Sequence, residues 1–368
     1  MIKQASTKLL LICFSTLAPF ALAFPENTRH GYTSCQSCHV SPSGGGVLTE
    51  YGRRASEDFM FTWKRDGEAD FAHGTLELPK QLLIGGDFRF LSLYKDNKVT
   101  ETKVGIPMQA DIEFAYQPTK NLTVAAALGS YDGNGESRRH YVLYQGGENW
   151  SARVGRFFPA FGIYTPDHSI LTRKFLGFNQ GQETYNAEFA WITQQFELIG
   201  TGMSGSASGE GISPRDDGFA VRTAWALGGR SQIGFSYLRG EGALWQRDVY
   251  GPFLMLSLTE RLYIHSELDL QARRALDSSD PSLPTHRALV SYTRCGWEFT
   301  QGLHLLATVE TLDTLGGSYV PQQRAYGPGL QWFPRPHLEF LAKVEKRLDE
   351  AYSQEYGDQA MLVSHYYF

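Results

Sequence analysis

From Leu82 to the end of the chain, apolar and polar residues alternate with a period of two. The clearest segments with an apolar residue at every second position are Met108 to Tyr116, Tyr185 to Trp191, Phe219 to Trp225, Leu262 to Leu270 and Leu338 to Val344. Successive side chains of a β-strand point to opposite faces. Each segment therefore predicts a strand with one apolar and one polar face.

Two architectures use such strands. In a transmembrane β-barrel, strands of about ten residues turn the apolar face to lipid and the polar face to the lumen; in a soluble β-sandwich the apolar face is the core. Many segments here are bounded by aromatic residues, and the chain holds 23 Phe, 19 Tyr and 7 Trp, as the aromatic girdles of a barrel require. The ending His365-Tyr366-Tyr367-Phe368 resembles the terminal strand of bacterial outer-membrane proteins, in which a last phenylalanine serves as an assembly signal. We therefore predict an all-β fold, an antiparallel transmembrane barrel over residues 80–368.

The alternating segments number about sixteen, an even count as in single-chain bacterial barrels. Barrels of about 16 to 18 strands are wide enough to leave an aqueous channel. The longest irregular stretch, Phe157 to Gln182, lies between the fifth and sixth predicted strands, where general porins fold a loop into the pore. A constriction loop and an ordinary extracellular loop both remain open for this stretch.

The N-terminus has the features of a secretory signal. Lys3 and Lys8 precede an apolar run from Leu9 to Ala21, and Ala21-Leu22-Ala23 forms a small-residue cleavage site. The apolar run is short for a bilayer span of about 20 residues, which disfavours a membrane anchor. We expect residues 1–23 to be removed, with the mature chain beginning at Phe24.

The next motif, Cys35-Gln36-Ser37-Cys38-His39, has the C-x-x-C-H pattern of c-type haem attachment. The two thiols would add to the haem vinyl groups, and His39 would supply an axial nitrogen to the iron. A zinc site needs a second ligand pair, but the remaining cysteines are Cys13, inside the signal, and the distant Cys295. A thioredoxin-like dithiol needs a helix after the motif, and the run through Gly44-Gly45-Gly46 cannot open one. We predict one covalent haem c bound by Cys35, Cys38 and His39.

Residues 24–79 form the predicted haem segment, which is near the lower size limit for a self-supporting core. One helix is expected from Thr49 to Trp63, with Tyr51, Ala55, Phe59 and Trp63 on one face.

The sixth iron ligand is left between Met60 and His73, with an open position or a barrel residue such as His168 as further alternatives; His30 lies too close to Cys35 to reach the opposite haem face easily. A methionine would raise the potential, and an open position would permit small-molecule chemistry. Arg53 and Arg54 would suit the haem propionates, because guanidinium binds carboxylate in a bidentate fork, although a solvated charge pair explains them equally well.

Charge and hydropathy exclude other classes of protein. The net charge of −5 and the lack of a basic run argue against nucleic-acid binding. The mean hydropathy of −0.31 excludes a bundle of membrane-spanning helices. Acidic and basic residues both occupy predicted lumenal positions, so no metal site follows from them. These lumenal positions include Asp111, Glu113, Glu267, Asp269, Glu298, Arg89, Arg153, Arg222 and Arg294.

A single C-x-x-C-H motif near the mature N-terminus, followed by a barrel of porin length, resembles the fused monohaem cytochrome-porins of bacterial outer membranes. Their best-known members are outer-membrane iron oxidases. The run from Cys38 to Gly46, together with Tyr51-Gly52-Arg53, is similar to a different branch of such fusions. The resemblance implies electron transfer across the outer membrane, with thioethers at Cys35 and Cys38 and His39 as proximal ligand.

The expected function is therefore electron transfer through a haem held in the barrel, between a periplasmic electron carrier and an extracellular donor or acceptor. The protein would lie in outer-membrane lipid, with the haem segment entering from the periplasmic side. An oxidoreductase acting on an extracellular metal or another donor or acceptor stays open. Two alternatives remain: a solute porin gated or plugged by the haem segment, and a haem enzyme acting on a small molecule.

Overall fold

The fold is taken from a computed structural model of the full chain. It describes residues 25–131, 134–167, 169–179, 181–206, 216–242, 245–276, 285–315 and 321–368. The predicted signal at residues 1–23, the expected mature start at Phe24 and the ligand candidate His168 lie outside the described residues.

The barrel is closed and antiparallel, as predicted, and it has sixteen strands. Each strand pairs with its neighbours in sequence, and β1 pairs with β16 to close the ring. The strands are β1 Leu82–Asp96, β2 Glu101–Thr119, β3 Leu122–Tyr131, β4 Asn134–Gln145, β5 Trp150–Phe157, β6 Thr184–Ile192, β7 Phe196–Ser204, β8 Asp217–Leu227, β9 Ser231–Glu241, β10 Trp245–Ser257, β11 Leu262–Ala275, β12 Thr285–Thr300, β13 Leu303–Leu315, β14 Gln323–Trp332, β15 Leu338–Asp349 and β16 Gly357–Tyr367.

The two faces of the wall differ as a membrane barrel requires. Outward positions carry exposed apolar side chains such as Ile112, Val154 and Trp191. Inward positions carry buried charged side chains, including Glu188 and Lys343. A soluble sandwich would have the reverse arrangement, with its apolar face buried as the core. The alternation in the sequence therefore separates lipid from lumen, and the predicted lumenal charges all face inward.

The two ends of the barrel have different connections. One end carries the short connections 120–121, 146–149, 193–195, 228–230, 258–261, 301–302 and 333–337. The other end carries the longest ones, 158–183, 205–216 and 276–284. The N-terminal segment joins β1, and the chain leaves β16, at the end with the short connections, here called the short-turn end.

The N-terminal segment is mostly irregular and fills the short-turn half of the lumen. It has 3₁₀ turns at Pro25–His30, Cys35–Ser37 and Phe71–Gly74 and one helix, α1, at Glu50–Phe59. Val40 and Val47 pack against wall residues such as Leu83 and Tyr141. The segment and the barrel thus share an apolar contact inside the lumen. No helix among the described residues is long and apolar enough to span a bilayer.

Helix α1 is shorter than predicted. Thr49 caps it by accepting a hydrogen bond from Gly52 N at 3.0 Å. Past Phe59 the chain leaves the helix, because Thr62 N and Trp63 N donate to the carbonyls of Phe333 and Pro334 in a barrel turn. Trp63, predicted on the helix, is therefore an exposed loop residue.

The buried face of α1 also differs from the prediction. Gly52, Arg53, Ala55 and Ser56 are buried, whereas Tyr51 is exposed. A Cβ on Gly52 would lie 2.5 Å from the Cys38 carbonyl oxygen. The glycine therefore lets α1 approach the cysteine motif closely.

The connection 158–183 folds into the lumen, so the constriction-loop alternative is correct and the extracellular-loop alternative is wrong. It contains a short helix, α2, at Leu171–Lys174. Phe161, Leu171, Leu176 and Phe178 of this inner loop form a buried cluster with the inner wall. The lumen is thus filled by the N-terminal segment at the short-turn end and by the inner loop further in.

Candidate functional site

The Cys35–His39 motif folds as one helical turn inside the barrel. Cys38 N and His39 N both donate to the Cys35 carbonyl oxygen, at 3.2 and 3.0 Å. An antiparallel bridge between His39 and Leu48, with Val40 N donating to Val47 O at 3.0 Å, holds the turn in place. The turn brings Cys35 and His39 close together, as a C-x-x-C-H motif requires for one ligand.

The three glycines after the motif make the chain reversal possible. Gly44, Gly45 and Gly46 have φ values of 90°, 71° and 73°, a left-handed conformation that favours glycine. A Cβ on Gly45 would lie 2.1 Å from the Tyr164 hydroxyl. The glycine run therefore allows Tyr164, from the inner loop, to pack directly on the motif.

His39 is buried, and its ring is oriented by the backbone. Nδ1 lies 3.2 Å from the Gly46 carbonyl oxygen. A histidine that donates from Nδ1 carries its lone pair on Nε2, the usual arrangement of an axial metal ligand. The glycine loop thus sets the tautomer as well as the chain direction.

The two cysteines lie in different surroundings. Cys35 lines a lumenal cavity, and burial raises the pKa of its thiol to about 12. Cys38 is fully buried beside Tyr32 and Ala55, and burial raises the pKa of its thiol as well. Burial therefore favours the protonated thiol at both cysteines.

Two cavities meet at the motif. One is lined by His39, Met60 and residues of β1 and β16. The other is lined by Cys35 and extends along the β1–β5 wall. Both are bordered by Gly45, Gly46, Asp87, Arg89, Glu113, Arg139, Tyr164 and Pro166. The space beside the motif is therefore continuous from His39 to Cys35.

Of the two predicted sixth ligands, Met60 lies at the site and His73 does not. Met60 is buried and lines the same cavity as His39. His73 is exposed, with its Nε2 3.4 Å from the Tyr366 hydroxyl and its ring 4.8 Å from that of His337. The structure therefore places Met60 with His39 on one cavity and Cys35 on the adjoining cavity, while Cys38 is buried and lines neither.

The two arginines predicted for the propionates lie elsewhere. Arg53 donates to the Ile84 carbonyl oxygen, and the exposed Arg54 lies 3.5 Å from Asp70. The arginines that line both cavities are Arg89 and Arg139. Arg89 was among the predicted lumenal residues and Arg139 was not, although Arg139 shares the inward face of β4 with the buried Tyr141.

The wall holds the N-terminal segment through several ion pairs and hydrogen bonds. Arg153 of β5 donates to Ser41 Oγ and Ser43 Oγ at 2.8 and 2.7 Å and is bidentate to Glu188. Arg29 pairs with Glu298 and donates to the Glu260 carbonyl oxygen at 2.8 Å. These contacts fix the segment at both the centre and the short-turn end of the lumen.

The 3₁₀ turn Pro25–His30 carries two titratable groups with shifted pKa values. Burial raises the pKa of Glu26 to about 7. Burial and the neighbouring Arg29 lower the pKa of His30 to about 3. At neutral pH His30 is therefore uncharged, and Glu26 is close to its titration midpoint.

The inner loop is fixed by wall carboxylates and by one buried aspartate. Ile163 N and Leu171 N donate to Glu267 and Glu310 at 2.9 and 2.8 Å. Asp167 lies between Arg294 and Lys343, at 2.9 and 3.0 Å. The loop therefore spans the lumen from β11 to β15.

Comparison with known proteins establishes the fold. No family model matches the chain, and no curated protein sequence matches it. Among solved structures, the anion-selective porin from Comamonas acidovorans superposes with a TM-score of 0.61 at 8% identity, covering 78% of this chain and 99% of that one. The outer-membrane channel DcaP of Acinetobacter baumannii superposes with a TM-score of 0.58 at 10% identity, covering 78% of this chain and 97% of that one.

A loop-deletion form of OmpT from Vibrio cholerae gives a TM-score of 0.59 at 8% identity and covers 78% of this chain and 99% of its own. The chain therefore has the sixteen-strand fold of outer-membrane porins. At such low identity the likeness concerns the fold alone.

Proposed function

We propose that this protein is an outer-membrane electron-transfer protein that carries one haem c inside a porin-like barrel. Cys35 and Cys38 would form the thioethers, and His39 would be the proximal ligand. The observation that carries the proposal is the position of the motif: the Cys35–His39 turn lies within the lumen, beside a cavity lined by His39 and Met60. When bound, the haem supplies reversible one-electron chemistry.

The residues around the motif fit a haem. His39 has the tautomer of an axial ligand, set by Gly46. The cavity at His39 has an apolar part, which includes Leu48 and Phe368, and a charged part in which Arg89 and Arg139 lie beside Asp87 and Glu113. Such a division suits a macrocycle with an apolar ring and two anionic propionates, which arginine binds well.

The burial of Cys38 bears on when the haem would be attached. Cys38 is fully buried and packs with Tyr32 and Ala55 of the same segment. A thioether at Cys38 would therefore have to form before this packing is complete.

Met60 is the sixth ligand in this proposal, because it shares the cavity with His39 and its thioether is a known haem ligand. A methionine ligand leaves no open iron position for a small-molecule substrate. The corresponding test compares Met60→Leu with His73→Ala by reduced-minus-oxidised spectra. We expect the first to change the ligand field and the second to leave the spectrum unchanged; the opposite pattern would assign His73.

The barrel would allow a haem in its lumen to connect the two sides of the membrane. Its apolar band, about 25 Å tall in outer-membrane barrels, insulates one aqueous side from the other. Short connections lie on the periplasmic side of such barrels, which supports entry of the N-terminal segment from the periplasm. A periplasmic carrier would then exchange electrons with the haem, and the donor or acceptor would lie outside.

The decisive experiment uses the full-length protein in proteoliposomes with a redox dye sealed inside and ferrous or ferric complexes outside. We expect dye reduction or oxidation only with haem-loaded protein. The Cys35→Ala, Cys38→Ala double variant is the matched control, because it keeps the barrel and lacks the attachment sites. Equal dye conversion by both proteins, or no haem on the unmutated chain, would overturn the proposal.

A second candidate is a solute porin plugged by the N-terminal segment. The fold likeness to an anion-selective porin and to the channel DcaP favours it. It predicts ion conductance in planar bilayers that depends on the segment's redox state, with no electron flow to an impermeant acceptor. The proteoliposome experiment therefore separates the two candidates.

A further inference from the structure

His365 of β16 lies between two carboxylates on the inner wall. Its Nδ1 is 2.7 Å from Glu339 Oε2, and its Nε2 is 3.1 Å from Asp87 Oδ1. Strand register explains the placement, because Arg89 of β1 and Glu339 of β15 are the direct cross-strand neighbours of His365. The ring is buried with both partners.

This geometry defines the charge state of the ring. A neutral imidazole has one N–H donor, whereas the imidazolium has two. A ring with an anionic carboxylate at each nitrogen is stabilised in the doubly protonated form. Carboxylates therefore face both ring nitrogens of His365, an arrangement that suits a residue able to hold and release a proton.

The surrounding charges make that proton exchangeable. Arg89 lies 2.7 Å from Asp87 and offsets one negative charge. The other charged groups that act on this cluster include Arg139 of β4 and Glu113 of β2, both near Asp87, and Glu26 of the N-terminal turn, near Glu339. With the imidazolium present, His365, Asp87, Glu339 and Arg89 have no net charge; without the proton they carry −1.

His365 and Asp87 also line the cavity that His39 and Met60 line. Charges interact more strongly in a buried lumen than in water, because the effective dielectric constant is lower. A positive charge added at His39 would therefore disfavour the second proton on His365.

We propose that His365 is a proton-exchange site coupled to electron transfer at the haem. With a haem bound, loss of an electron to its acceptor would be accompanied by breaking of the Nε2–H bond of the imidazolium, and the proton would pass through the cavity to solvent. On return of an electron, Nε2 would take a proton back. One proton thus balances one electron, and this inference rests on the proposed function.

The test measures the haem midpoint potential of the full-length protein from pH 5 to 9. We expect the potential to fall as pH rises across a window of titration, approaching about 59 mV per pH unit, the value of a tenfold concentration change for a one-electron couple. His365→Gln keeps a polar side chain but cannot take the proton, so its potential should not vary with pH in that window.

His304→Gln is the matched control. His304 is another buried barrel histidine, 3.1 Å from the Tyr263 hydroxyl, and it lines neither cavity. It should keep the slope of the unmutated protein. Asp87→Asn removes the anion that faces Nε2 and should move the window to lower pH.

The inference is overturned if the unmutated protein has a potential independent of pH, or if His365→Gln keeps the slope. Absence of a haem spectrum would instead overturn the proposed function. The two failures are therefore distinguishable.

Discussion

The two segments that fill the lumen are held in different ways. The inner loop at 158–183 donates backbone amides to buried wall carboxylates and places Asp167 between two cations. The N-terminal segment is held by side chains such as Arg153 and Arg29, by apolar packing of Val40 and Val47, and by the amides of Thr62 and Trp63 at one barrel turn.

The difference separates a structural element from the one that would carry the cofactor in our proposal. Removing the inner loop would take the amides of Ile163 and Leu171 from Glu267 and Glu310, and Asp167 from Arg294 and Lys343, and losing the partner of a buried charge is unfavourable. The N-terminal segment leaves fewer buried charges if it undocks. We therefore expect the loop to belong to the stability of the barrel, and the N-terminal segment to be separable from it.

The largest expected effect concerns the cofactor. Cys35→Ala combined with Cys38→Ala should abolish covalent haem completely while the barrel still assembles, because strand pairing does not use these residues. Haem-stained gels and heat-modifiable mobility on the same sample measure both. Loss of both signals together would mean that the N-terminal segment is not separable.

The second-largest effect is expected at the loop anchor, the ion pair between Asp167 of the inner loop and Lys343 of β15. Lys343→Met leaves Asp167 with one cation in a buried site, and breaking a buried pair typically costs about 3–5 kcal/mol. Denaturant unfolding of the refolded barrel should show a loss of free energy of that order. Lys346→Met, on the same strand as Lys343, removes an exposed pair with Asp358 of β16; it is the control and should have no measurable effect. Equal effects of the two variants would contradict the role of the loop anchor.

A third effect is pH-dependent and belongs to the N-terminal segment. Burial raises the pKa of Glu26 from 4.5 to about 7, so the docked state favours the protonated carboxyl. Docking should be strongest below pH 4.5 and weaken as pH rises through about 7, with a total change on the order of 3 kcal/mol at about 1.4 kcal/mol per pKa unit.

Limited proteolysis of the N-terminal segment as a function of pH measures that docking. Glu26→Gln should remove the dependence and resist cleavage at pH 8. The Glu26→Gln variant leaves Glu298, which pairs with Arg29 in the same region, unchanged. A pH dependence that survives Glu26→Gln would assign the titration to another group.

The smallest expected effect concerns the seam between β1 and β16. Phe368 exchanges two backbone hydrogen bonds with Gly86, at 3.1 and 3.2 Å, each worth about 1 kcal/mol. Deleting Phe368 should slow assembly and leave export unchanged. Pulse-chase measurement of heat-modifiable barrel formation checks this, and normal kinetics would argue against the role of the last residue in assembly.

The barrel was predictable because its physics is local. Period-two alternation over about ten residues states which side chains meet lipid, and the strand count and the first strand at Leu82 follow from it. The motif at Cys35 to His39 is also local, since five adjacent residues specify it. The end of α1 could not be predicted from the local sequence, because the amides of Thr62 and Trp63 donate to a turn that is far away in sequence.

The rest of the site depends on the register between strands distant in sequence. His365 meets Asp87 and Glu339 only because β16 closes the ring between β1 and β15. Arg139 reaches Glu113 and Asp111 across β3 for the same reason. Arg53 and Arg54 lay near the motif in sequence, but the helix turned them to Ile84 and Asp70.

One feature of the closing seam links assembly to loading. The N-terminal segment runs directly into β1, and His365, Tyr367 and Phe368 of the final strand line the cavity beside His39. The pairing of β16 with β1, which closes the barrel, therefore also forms one side of the cavity beside His39. If β1 and β16 paired before the N-terminal segment had entered the lumen, the closed barrel would exclude the segment. The connectivity of the first and last strands therefore sets the order of maturation.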